Sequence, residues 1–332
     1  MTPPVRFGIL GCGRVAHTHV EAISALGDAA EVVALCDNCS DKLDSFKPES
    51  EAKRFSDLKE MLAIPDLDVV SICTPSGMHA DHAVLVAKAG KHVMVEKPLD
   101  VTVEAVDRMI AACEEAGVFL FPIFQNRFNP TVELVKEAIE LGRFGQIFSV
   151  NSTVIWKRGQ SYYDADSWRG TRAMDGGAYM NQGIHFVDMM RYLGGEIDEV
   201  VPMLGHQQRD IESEDCGSVL FRFKNGALGN SFVTMLGASD VEGSVTIIGE
   251  KGMATLGGVA MNTIEAWEFD TPHPEQDEKA ASPQTGIQSV YGNGHQAAYH
   301  KVVQHLREGQ PYPITPTDAK KTVELIVRCY QG

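Results

Sequence analysis

The chain lacks long hydrophobic runs and is poor in basic residues. No apolar run in its 332 residues approaches the roughly 20 residues that a membrane-spanning helix needs. Lysine and arginine together number 29 against 45 acidic residues, so the formal net charge is −16 at pH 7. A surface of that sign repels nucleic acid and anionic lipid. We therefore expect neither a nucleic-acid nor a membrane partner.

Paired cysteines and metal-ligand clusters are also scarce. The seven cysteines are odd in number and scattered, and the pair Cys36 and Cys39 has no second pair that would complete a zinc site. His79 and His82 lie three apart on a predicted helix, but no third ligand is evident. We therefore expect no metal and reduced thiols, as in a cytoplasmic protein. Because the chain enters a strand-like run at once, we also expect no signal peptide.

The most informative segment lies near the N-terminus. A strand-like run from Val5 to Leu10 leads into a Gly-x-Gly-x-x-Ala turn formed by Gly11, Gly13 and Ala16. A helical stretch and a second apolar run follow, and that run ends at Asp37. This β-α-β pattern is typical of a dinucleotide site. The alternative is an ordinary strand-to-helix turn in an α/β protein.

Each residue of this turn has a physical role in such a site. Gly11 permits the tight turn, and Gly13 lets the backbone approach a pyrophosphate at the N-terminus of the helix, where Arg14 and Val15 follow. The carboxylate of Asp37 can accept hydrogen bonds from both ribose hydroxyls and would repel a 2′-phosphate. The pattern therefore favours NAD over NADP.

The organisation of the chain changes about a third of the way along. Strands alternate with helices over residues 1–126, which predicts a parallel sheet covered on both faces. Longer alternating runs with hairpin turns then predict a second domain over 127–310 with an antiparallel sheet. We expect a helix in 311–332 to pack back on the first domain. A segment rich in proline, acid and glutamine, 271–285, predicts a mobile surface loop.

Polar residues follow the ends of the predicted parallel strands, where ligands bind in open α/β sheets. They occur in three segments, Thr74-Pro75-Ser76 with the nearby His79, Glu96-Lys97-Pro98, and Gln125 with its neighbours. A fourth polar segment begins at Trp168-Arg169 and continues through Gly176-Gly177 to His185. We expect these segments to converge where the two domains meet.

Together these motifs resemble the Gfo/Idh/MocA oxidoreductases. Glu96-Lys97-Pro98 and the pattern Gly-Gly-x-x-x-(Asp/Asn)-x-Gly-x-His, which ends at His185, carry the resemblance over essentially the whole chain. Tyr162-Tyr163-Asp164 and Trp168-Arg169-Gly170-Thr171 resemble the WlbA/WbpB branch, the UDP-N-acetyl-2-amino-2-deoxyglucuronate 3-dehydrogenases of bacterial O-antigen pathways. The resemblance implies a Rossmann domain, a C-terminal α/β domain with an open, mostly antiparallel sheet, and a homodimer or tetramer.

The resemblance also assigns catalytic roles that the chemistry supports. Oxidation of a secondary alcohol removes a hydride from carbon and a proton from oxygen; Lys97 would stabilise the developing alkoxide, and His185 would take the proton. Asp188 lies three residues after His185 on the same helix face and could orient its ring. Many family members carry Asp where this chain has Asn181, which cannot act as a base. His185 is therefore the main candidate base.

The predicted cofactor site comprises Gly11, Gly13, Arg14, Val15, Asp37, Thr74, Pro75, Ser76, His79, Glu96, Lys97, Gln125, Trp168 and Arg169. The predicted substrate site comprises Lys97, Arg158, Tyr163, Arg169, Asn181, Gln182 and His185. Arg158 and Arg169 belong to a basic cluster with Lys157 and Arg172 that suits a diphosphate and a carboxylate, or else forms a solvated loop.

These expectations specify a reaction. We predict NAD-dependent oxidation of the C3 hydroxyl of a UDP-linked 2-acetamido-2-deoxyglucuronic acid, with 2-oxoglutarate as a candidate second substrate that reoxidises the cofactor. The first alternative is a dehydrogenase or ketoreductase acting on another sugar, an inositol or a dTDP-sugar. The second alternative, from another class, is an NAD-dependent glycosidase or a dinucleotide-sensing regulator on the same fold.

Overall fold

A computed structural model of the chain describes residues 3–46, 52–258, 260–282 and 294–331. The strands are, in chain order, β1 (Val5–Leu10), β2 (Ala30–Cys36), β3 (Lys53–Phe55), β4 (Val69–Ile72), β5 (His92–Val95), β6 (Leu120–Pro122), β7 (Ile147–Ile155), β8 (Ile197–Gly205), β9 (Cys216–Phe223), β10 (Leu228–Thr234), β11 (Glu242–Gly249), β12 (Gly252–Gly257) and β13 (Thr263–Phe269). The α-helices are α1 (Arg14–Ser24), α2 (Ser40–Ser45), α3 (Leu58–Leu62), α4 (His79–Lys88), α5 (Val103–Ala116), α6 (Pro130–Glu140), α7 (Gln160–Asp164), α8 (Ile184–Gly194), α9 (Pro274–Ala281), α10 (Gly294–Glu308) and α11 (Pro316–Gln331).

The chain forms two compact units whose boundaries differ from the predicted ones. The first unit is Met1–Phe124 with His295–Lys321, and the second is Gln125–Gly294 with Thr322–Gly332. The sequence placed residues 295–310 in the second domain. They belong to the first unit because α10 buries Tyr299 there, with its hydroxyl 2.7 Å from the Ser71 Oγ atom. The helix α11, which we expected to pack back on the first domain, is divided between the two units after Lys321.

The first unit contains a six-stranded sheet in the order β3-β2-β1-β4-β5-β6, in which every pairing is parallel. Parallel neighbours need crossover connections, which here include α1, α4 and α5. The strand order reverses between β1 and β4, and that reversal is the point at which such sheets bind dinucleotides. The predicted Rossmann architecture is confirmed.

Local sequence signals set both ends of α5 in this unit. The side-chain oxygen of Thr102 accepts a hydrogen bond from the backbone N–H of Ala105 at 3.2 Å and caps α5. Gly117 ends the same helix in the left-handed conformation, with φ of 65°. The helix therefore begins and ends where these two residues predict.

The second unit contains a seven-stranded sheet in the order β13-β12-β11-β7-β10-β9-β8. Its pairings are antiparallel except that of β7 with β10, which is parallel. Because side chains alternate between the faces of a strand, one face buries residues such as Val150, Val219 and Phe221, and α8 packs on β7 and β11. The predicted open and mostly antiparallel sheet is confirmed.

Two further findings concern helices. The predicted mobile loop is wrong for residues 274–281, which form α9, because His273 caps the helix and Pro274 occupies its first turn. Residues 283–285 of that predicted loop lie outside the described residues. Within the described part of the chain, no helix is long and apolar enough to cross a membrane.

Candidate active site

The turn between β1 and α1 has the geometry that a pyrophosphate needs. Gly11 has φ of +92°, and a Cβ atom there would lie 2.8 Å from the carbonyl carbon and oxygen of Cys73. Gly13 precedes α1, and a Cβ atom there would meet nothing within 4 Å. No side chain caps the helix N-terminus. The first turn, with Arg14 and Val15, therefore presents backbone N–H groups to open space, which suits an anion.

Asp37 is held beside this turn by backbone donors. Its Oδ2 atom accepts a hydrogen bond from the N–H of Cys12 at 2.7 Å, and its Oδ1 atom accepts one from Cys39 at 2.8 Å. The side chain is half-buried, and each carboxylate oxygen can accept a further hydrogen bond. The residues of this turn and of the β2 end therefore fit the adenosine ribose and pyrophosphate of NAD.

His79 joins two loops instead of facing a ligand. Its Nδ1 and Nε2 atoms lie 2.8 Å from the carbonyl oxygens of Pro98 and Thr74. The residue is 1% exposed, so the ring is enclosed. The sequence predicted cofactor binding for His79; both ring nitrogens are engaged by backbone, and the ring holds the Thr74-Pro75-Ser76 loop against the segment after β5. The Thr74 hydroxyl lies 3.0 Å from the His82 Nδ1 atom.

Glu96 is likewise turned inward. Its Oε1 atom accepts hydrogen bonds from His19 at 2.9 Å and His295 at 2.8 Å, and its Oε2 atom accepts one from the Lys97 backbone N–H at 3.1 Å. Burial alone would raise the pKa of Glu96, but the hydrogen bonds from the two histidines outweigh it and hold the pKa well below its usual range. The predicted cofactor contact of Glu96 stays a prediction, and the described contacts of its carboxylate are with the two histidines and the Lys97 N–H.

Lys97 follows β5 directly and belongs to the first unit. It is half-buried, whereas Glu96 before it and Pro98 after it are anchored by the buried side chains of His19, His295 and His79. The Lys97–Pro98 peptide bond is cis. The first unit thus places Lys97 after β5, at the same edge of the parallel sheet as Gly11 after β1, Asp37 after β2 and Thr74 after β4.

The substrate residues of the second unit stand on an irregular helix. Tyr179–Gly183 forms a π-helical turn that continues directly into α8. π-helical turns are rare in proteins overall, and those that occur often lie at functional sites. This turn carries Asn181 and Gln182, and α8 carries His185 in its first turn. Sequence periodicity predicted the helix but not its π-turn.

Glu214 supports the start of that turn. The sequence did not predict this role. Its Oε1 atom accepts hydrogen bonds from the backbone N–H of Tyr179 at 2.8 Å and from the Tyr330 hydroxyl at 3.0 Å. A Cβ atom on Gly177, whose φ is +102°, would lie 2.3 Å from the Glu214 Oε2 atom. Burial, with a smaller contribution from the charge of Asp175, raises the pKa of Glu214 to about 7.

Asp175 fixes Asn181. The Asn181 side chain donates a hydrogen bond to the Oδ1 atom of Asp175, and the Oδ2 atom of Asp175 accepts one from the backbone N–H of Gly170 at 2.7 Å. Asn181 is half-buried, so its amide is oriented from one side and accessible from another.

His185 lies beside Gln125, the first residue of the second unit, with their Nε2 atoms 3.4 Å apart. Asp188, which we expected to orient His185, has both carboxylate oxygens in hydrogen bonds with Arg127, at 2.8 and 2.6 Å. The Thr322 hydroxyl donates a further bond to Asp188 at 2.7 Å. The described partners of Asp188 are thus the buried Arg127 and Thr322, together with Arg191 in an ion pair at 3.9 Å, and this geometry does not support the orienting role.

Two arginines flank one tyrosine to form what we call the Tyr162 cluster, made of Tyr162, Arg158, Arg169, Trp168 and Gln182. The guanidinium groups of Arg158 and Arg169 lie 5.6 and 4.5 Å from the centre of the Tyr162 ring. Arg169 also lies 4.5 Å from the centre of the Trp168 ring. The Tyr162 hydroxyl accepts hydrogen bonds from Arg169 at 2.7 Å and from Gln182 at 3.2 Å. The structure therefore brings three of the predicted substrate residues together.

Three other predicted residues do not join this cluster's exposed face. Tyr163 is 5% exposed and packs edge-to-face against Tyr162, with ring centres 5.1 Å apart, so its predicted substrate contact stays a prediction that its burial does not favour. Lys157 is exposed, and Arg172 hydrogen-bonds to Glu212. Of the four basic residues that the sequence grouped together, only Arg158 and Arg169 therefore flank Tyr162. Gln125, Trp168 and Arg169, all predicted cofactor residues, belong to the second unit.

Comparison with known proteins gives a consistent result across the chain. The model of the Gfo/Idh/MocA oxidoreductase family for its NAD-binding Rossmann fold matches residues 5–124, and the model for its C-terminal alpha/beta domain matches residues 136–332. The chain is 28% identical over 327 residues to a myo-inositol 2-dehydrogenase of Thermotoga maritima, covering 97% of this chain and 94% of that protein.

Two solved structures are similar over the full length. The WlbA dehydrogenase from Bordetella pertussis, in complex with NADH and UDP-GlcNAcA, is 42% identical with a TM-score of 0.94, covering 100% of this chain and 96% of that one. The WlbA dehydrogenase from Chromobacterium violaceum, in complex with the same two ligands, is 38% identical with a TM-score of 0.91, covering 100% and 95%.

Proposed function

Because the chain belongs to the Gfo/Idh/MocA family of NAD-binding oxidoreductases, we propose that it oxidises the C3 hydroxyl of a UDP-linked 2-acetamido-2-deoxyglucuronic acid. The product is the 3-keto sugar. The observation that carries this proposal is the full-length similarity to a dehydrogenase whose structure holds NADH and UDP-GlcNAcA. The substrate brings a diphosphate, a carboxylate and a uracil ring to the enzyme.

The Tyr162 cluster supports this choice of substrate. Arg158 and Arg169 place two guanidinium groups beside the Tyr162 ring in a protein of net charge −16. Each is also paired with an aspartate, Arg158 with Asp240 at 3.0 Å and Arg169 with Asp166 at 3.1 Å, so an anionic ligand would bind through their remaining N–H groups. Guanidinium groups bind carboxylates and phosphates through paired hydrogen bonds. Asn181 can hydrogen-bond an acetamido group or a hydroxyl, and Asp175 fixes its orientation. The second unit thus offers charge and polarity that match a sugar nucleotide acid.

The chemistry divides between two residues. The ammonium group of Lys97 stabilises the negative charge that develops on the C3 oxygen as its proton leaves. The Nε2 atom of His185 takes that proton, for which the ring must be neutral at the start. NAD, when bound, accepts the hydride from C3. Gly11, Gly13 and Asp37 would hold its pyrophosphate and ribose. Each alcohol oxidised to a ketone loses one hydride, to NAD, and one proton, to His185.

The cofactor cycle and cellular setting follow from the same assignment. We propose 2-oxoglutarate as a second substrate that accepts the hydride and regenerates bound NAD. All seven cysteines are free thiols, which suits a reducing cytoplasm. A 3-keto product would serve a following aminotransferase in the synthesis of a bacterial O-antigen or related surface polysaccharide.

An exposed apolar surface supports the expected homo-oligomer. The sheet face of the second unit that points away from α8 exposes Val201, Met203, Leu220, Leu228 and Ile248. Contiguous exposed apolar residues mark interaction sites. We propose that this face pairs with a second copy in a dimer or tetramer. Met203→Glu with Leu220→Glu should then yield a smaller species in light scattering, and an unchanged mass would contradict the assignment.

Mass spectrometry tests the reaction. Enzyme is incubated with NAD and UDP-N-acetylglucosaminuronic acid, with and without 2-oxoglutarate. We expect a loss of two mass units from the sugar nucleotide and none with Lys97→Ala. Formation only with 2-oxoglutarate would support cofactor regeneration in place. Oxidation of free sugars or inositol but not of the UDP-sugar would favour the first alternative, and release of free sugar would indicate a glycosidase.

A further inference from the structure

Three N–H groups converge on the buried carboxylate of Glu96. His19, Glu96 and His295 are 0%, 5% and 1% exposed. The Nε2 atoms of the two histidines donate to Oε1, and the Lys97 backbone N–H donates to Oε2. A carboxylate can accept about four hydrogen bonds only when ionised. The described donors hold the pKa of Glu96 well below its usual range, so Glu96 is a buried anion.

A second chain of hydrogen bonds sets the proton positions on His19. Its Nδ1 atom lies 2.7 Å from the Tyr299 hydroxyl, which in turn lies 2.7 Å from the Ser71 hydroxyl. Burial lowers the pKa of His19 and outweighs the opposing effect of Glu96, which favours the neutral ring. The single ring proton of His19 is then on Nε2 and points at Glu96. The Nδ1 atom accepts a hydrogen bond from the Tyr299 hydroxyl. Side chains from α1, β4 and α10 thus fix which atom donates and which accepts in each hydrogen bond of this chain.

We propose that His19, Glu96 and His295 are positioning residues for Lys97, an inference that rests on the proposed catalytic role of that lysine. The Lys97 side chain has four rotatable carbon–carbon bonds, so its ammonium group can be aimed only from a fixed backbone. Glu96 fixes the lysine's N–H, and His79 contacts the carbonyl oxygen of the next residue, Pro98. The backbone of Lys97 is therefore held from both sides by buried groups.

The same three side chains have the composition of a metal site. Their potential ligand atoms all lie within 4.8 Å of one another. Two histidines and one glutamate are a known zinc ligand set. A metal ion, however, would need both Nε2 atoms unprotonated, whereas here both lie within hydrogen-bond distance of one carboxylate oxygen. The hydrogen-bond geometry therefore favours positioning over metal binding.

The test compares variants by single-turnover NADH formation and by NADH affinity. Glu96→Gln removes the charge at constant shape, and His295→Leu removes one donor. His295→Gln retains an N–H near the Nε2 position, and the exposed His17→Gln on α1 is the matched control. We expect Glu96→Gln and His295→Leu to lower the turnover rate about 10- to 100-fold, since displacement of a catalytic group by about 1 Å has that effect. The NADH dissociation constant and KM should change less than about threefold.

Conservative rescue separates positioning from a purely structural role. His295→Gln should recover most of the rate, and His17→Gln should match wild type. Equal losses in His295→Gln and His295→Leu, or a fall in rate that follows the folded fraction alone, would overturn the proposal. So would one equivalent of zinc retained by purified wild type and lost from Glu96→Gln. If wild type does not oxidise the sugar nucleotide, or Lys97→Ala remains active, the proposed function has failed instead.

Discussion

Lys97 stands at the end of a parallel strand, whereas His185 stands on a helix that begins with a π-turn and packs on an antiparallel sheet. In the first unit, regular strand ends deliver the candidate residues, and buried histidines hold the loops between them. In the second unit, Glu214 and Asp175 shape an irregular backbone. The regular geometry of a parallel sheet brings the polar residues of short motifs to one edge. An irregular helix, by contrast, is held in shape by hydrogen bonds from residues distant in the chain.

We expect the largest effect from removal of the Lys97 ammonium group in the first unit. Lys97→Met should lower turnover about a thousandfold, because no other group replaces the positive charge at the developing alkoxide. NADH binding should persist, since the β1–α1 turn is untouched. Rapid-mixing fluorescence measures the rate, and the exposed Lys88→Met on α4 is the control. Activity within tenfold of wild type would remove Lys97 from the mechanism.

The next prediction concerns the buried acid of the second unit. Glu214 has a folded-state pKa of about 7 against an ordinary value of 4.5. Because the folded state retains this proton when the unfolded state has lost it, Glu214 lowers stability as pH rises between these values, by about 3 kcal/mol in total. The stability of Glu214→Gln relative to wild type should therefore increase by about that amount from pH 4 to pH 8.

Urea unfolding at several pH values measures this difference. The comparison with Glu214→Gln cancels the titration of groups that do not interact with Glu214. A pH-independent difference between the two proteins would show that Glu214 titrates normally.

A third change tests how closely that acid approaches the backbone. Gly177→Ala should destabilise the protein about 2 kcal/mol more than Gly142→Ala. Both glycines have positive φ, +102° and +72°, so both substitutions strain the backbone. Only the new Cβ atom at 177 would overlap the Glu214 carboxylate, because a Cβ atom at 142 meets nothing within 4 Å. Equal costs in urea unfolding would mean that Glu214 moves aside.

The smallest effect concerns the Tyr162 cluster. Tyr162→Phe keeps the ring between the two arginines but removes the oxygen that accepts from Arg169 and Gln182. We expect KM for the sugar nucleotide to rise about tenfold with little change in kcat, because one charge-assisted hydrogen bond no longer orients Arg169. Steady-state kinetics measure both, with Tyr192→Phe on α8 as the control. An unchanged KM would separate this cluster from substrate binding.

The sequence predicted those features that depend on short, local patterns of residues. The glycine turn, the alternation of strands and helices, and the position of Lys97 after a buried strand all depend on neighbours in the chain. The structure confirms the Rossmann and antiparallel architectures. The roles of the predicted site residues remain proposals, although the structure turns Glu96, His79 and Tyr163 inward.

Long-range contacts explain what the sequence did not reveal. Nothing near Glu214 marks it as a partner of Tyr179, which lies 35 residues earlier. His19 lies 77 residues from Glu96 and 280 from Tyr299, so no local spacing could connect them. Such partners are chosen by the tertiary structure. Composition failed similarly for α9, since a segment rich in acid and proline still forms a helix when its first turn is well capped.

The discontinuity of the first unit has a consequence for how the protein is made. Tyr299 and His295, which complete its interior, emerge from the ribosome only after residues 125–294, which form most of the second unit, have been synthesised. Chains grow at about 5–20 residues per second, and contacts this distant in sequence form late. Until then the residues around Ser71 and His19 lack their α10 partners. The N-terminal cofactor domain, first to be translated, is therefore among the last parts of the protein to reach its finished form.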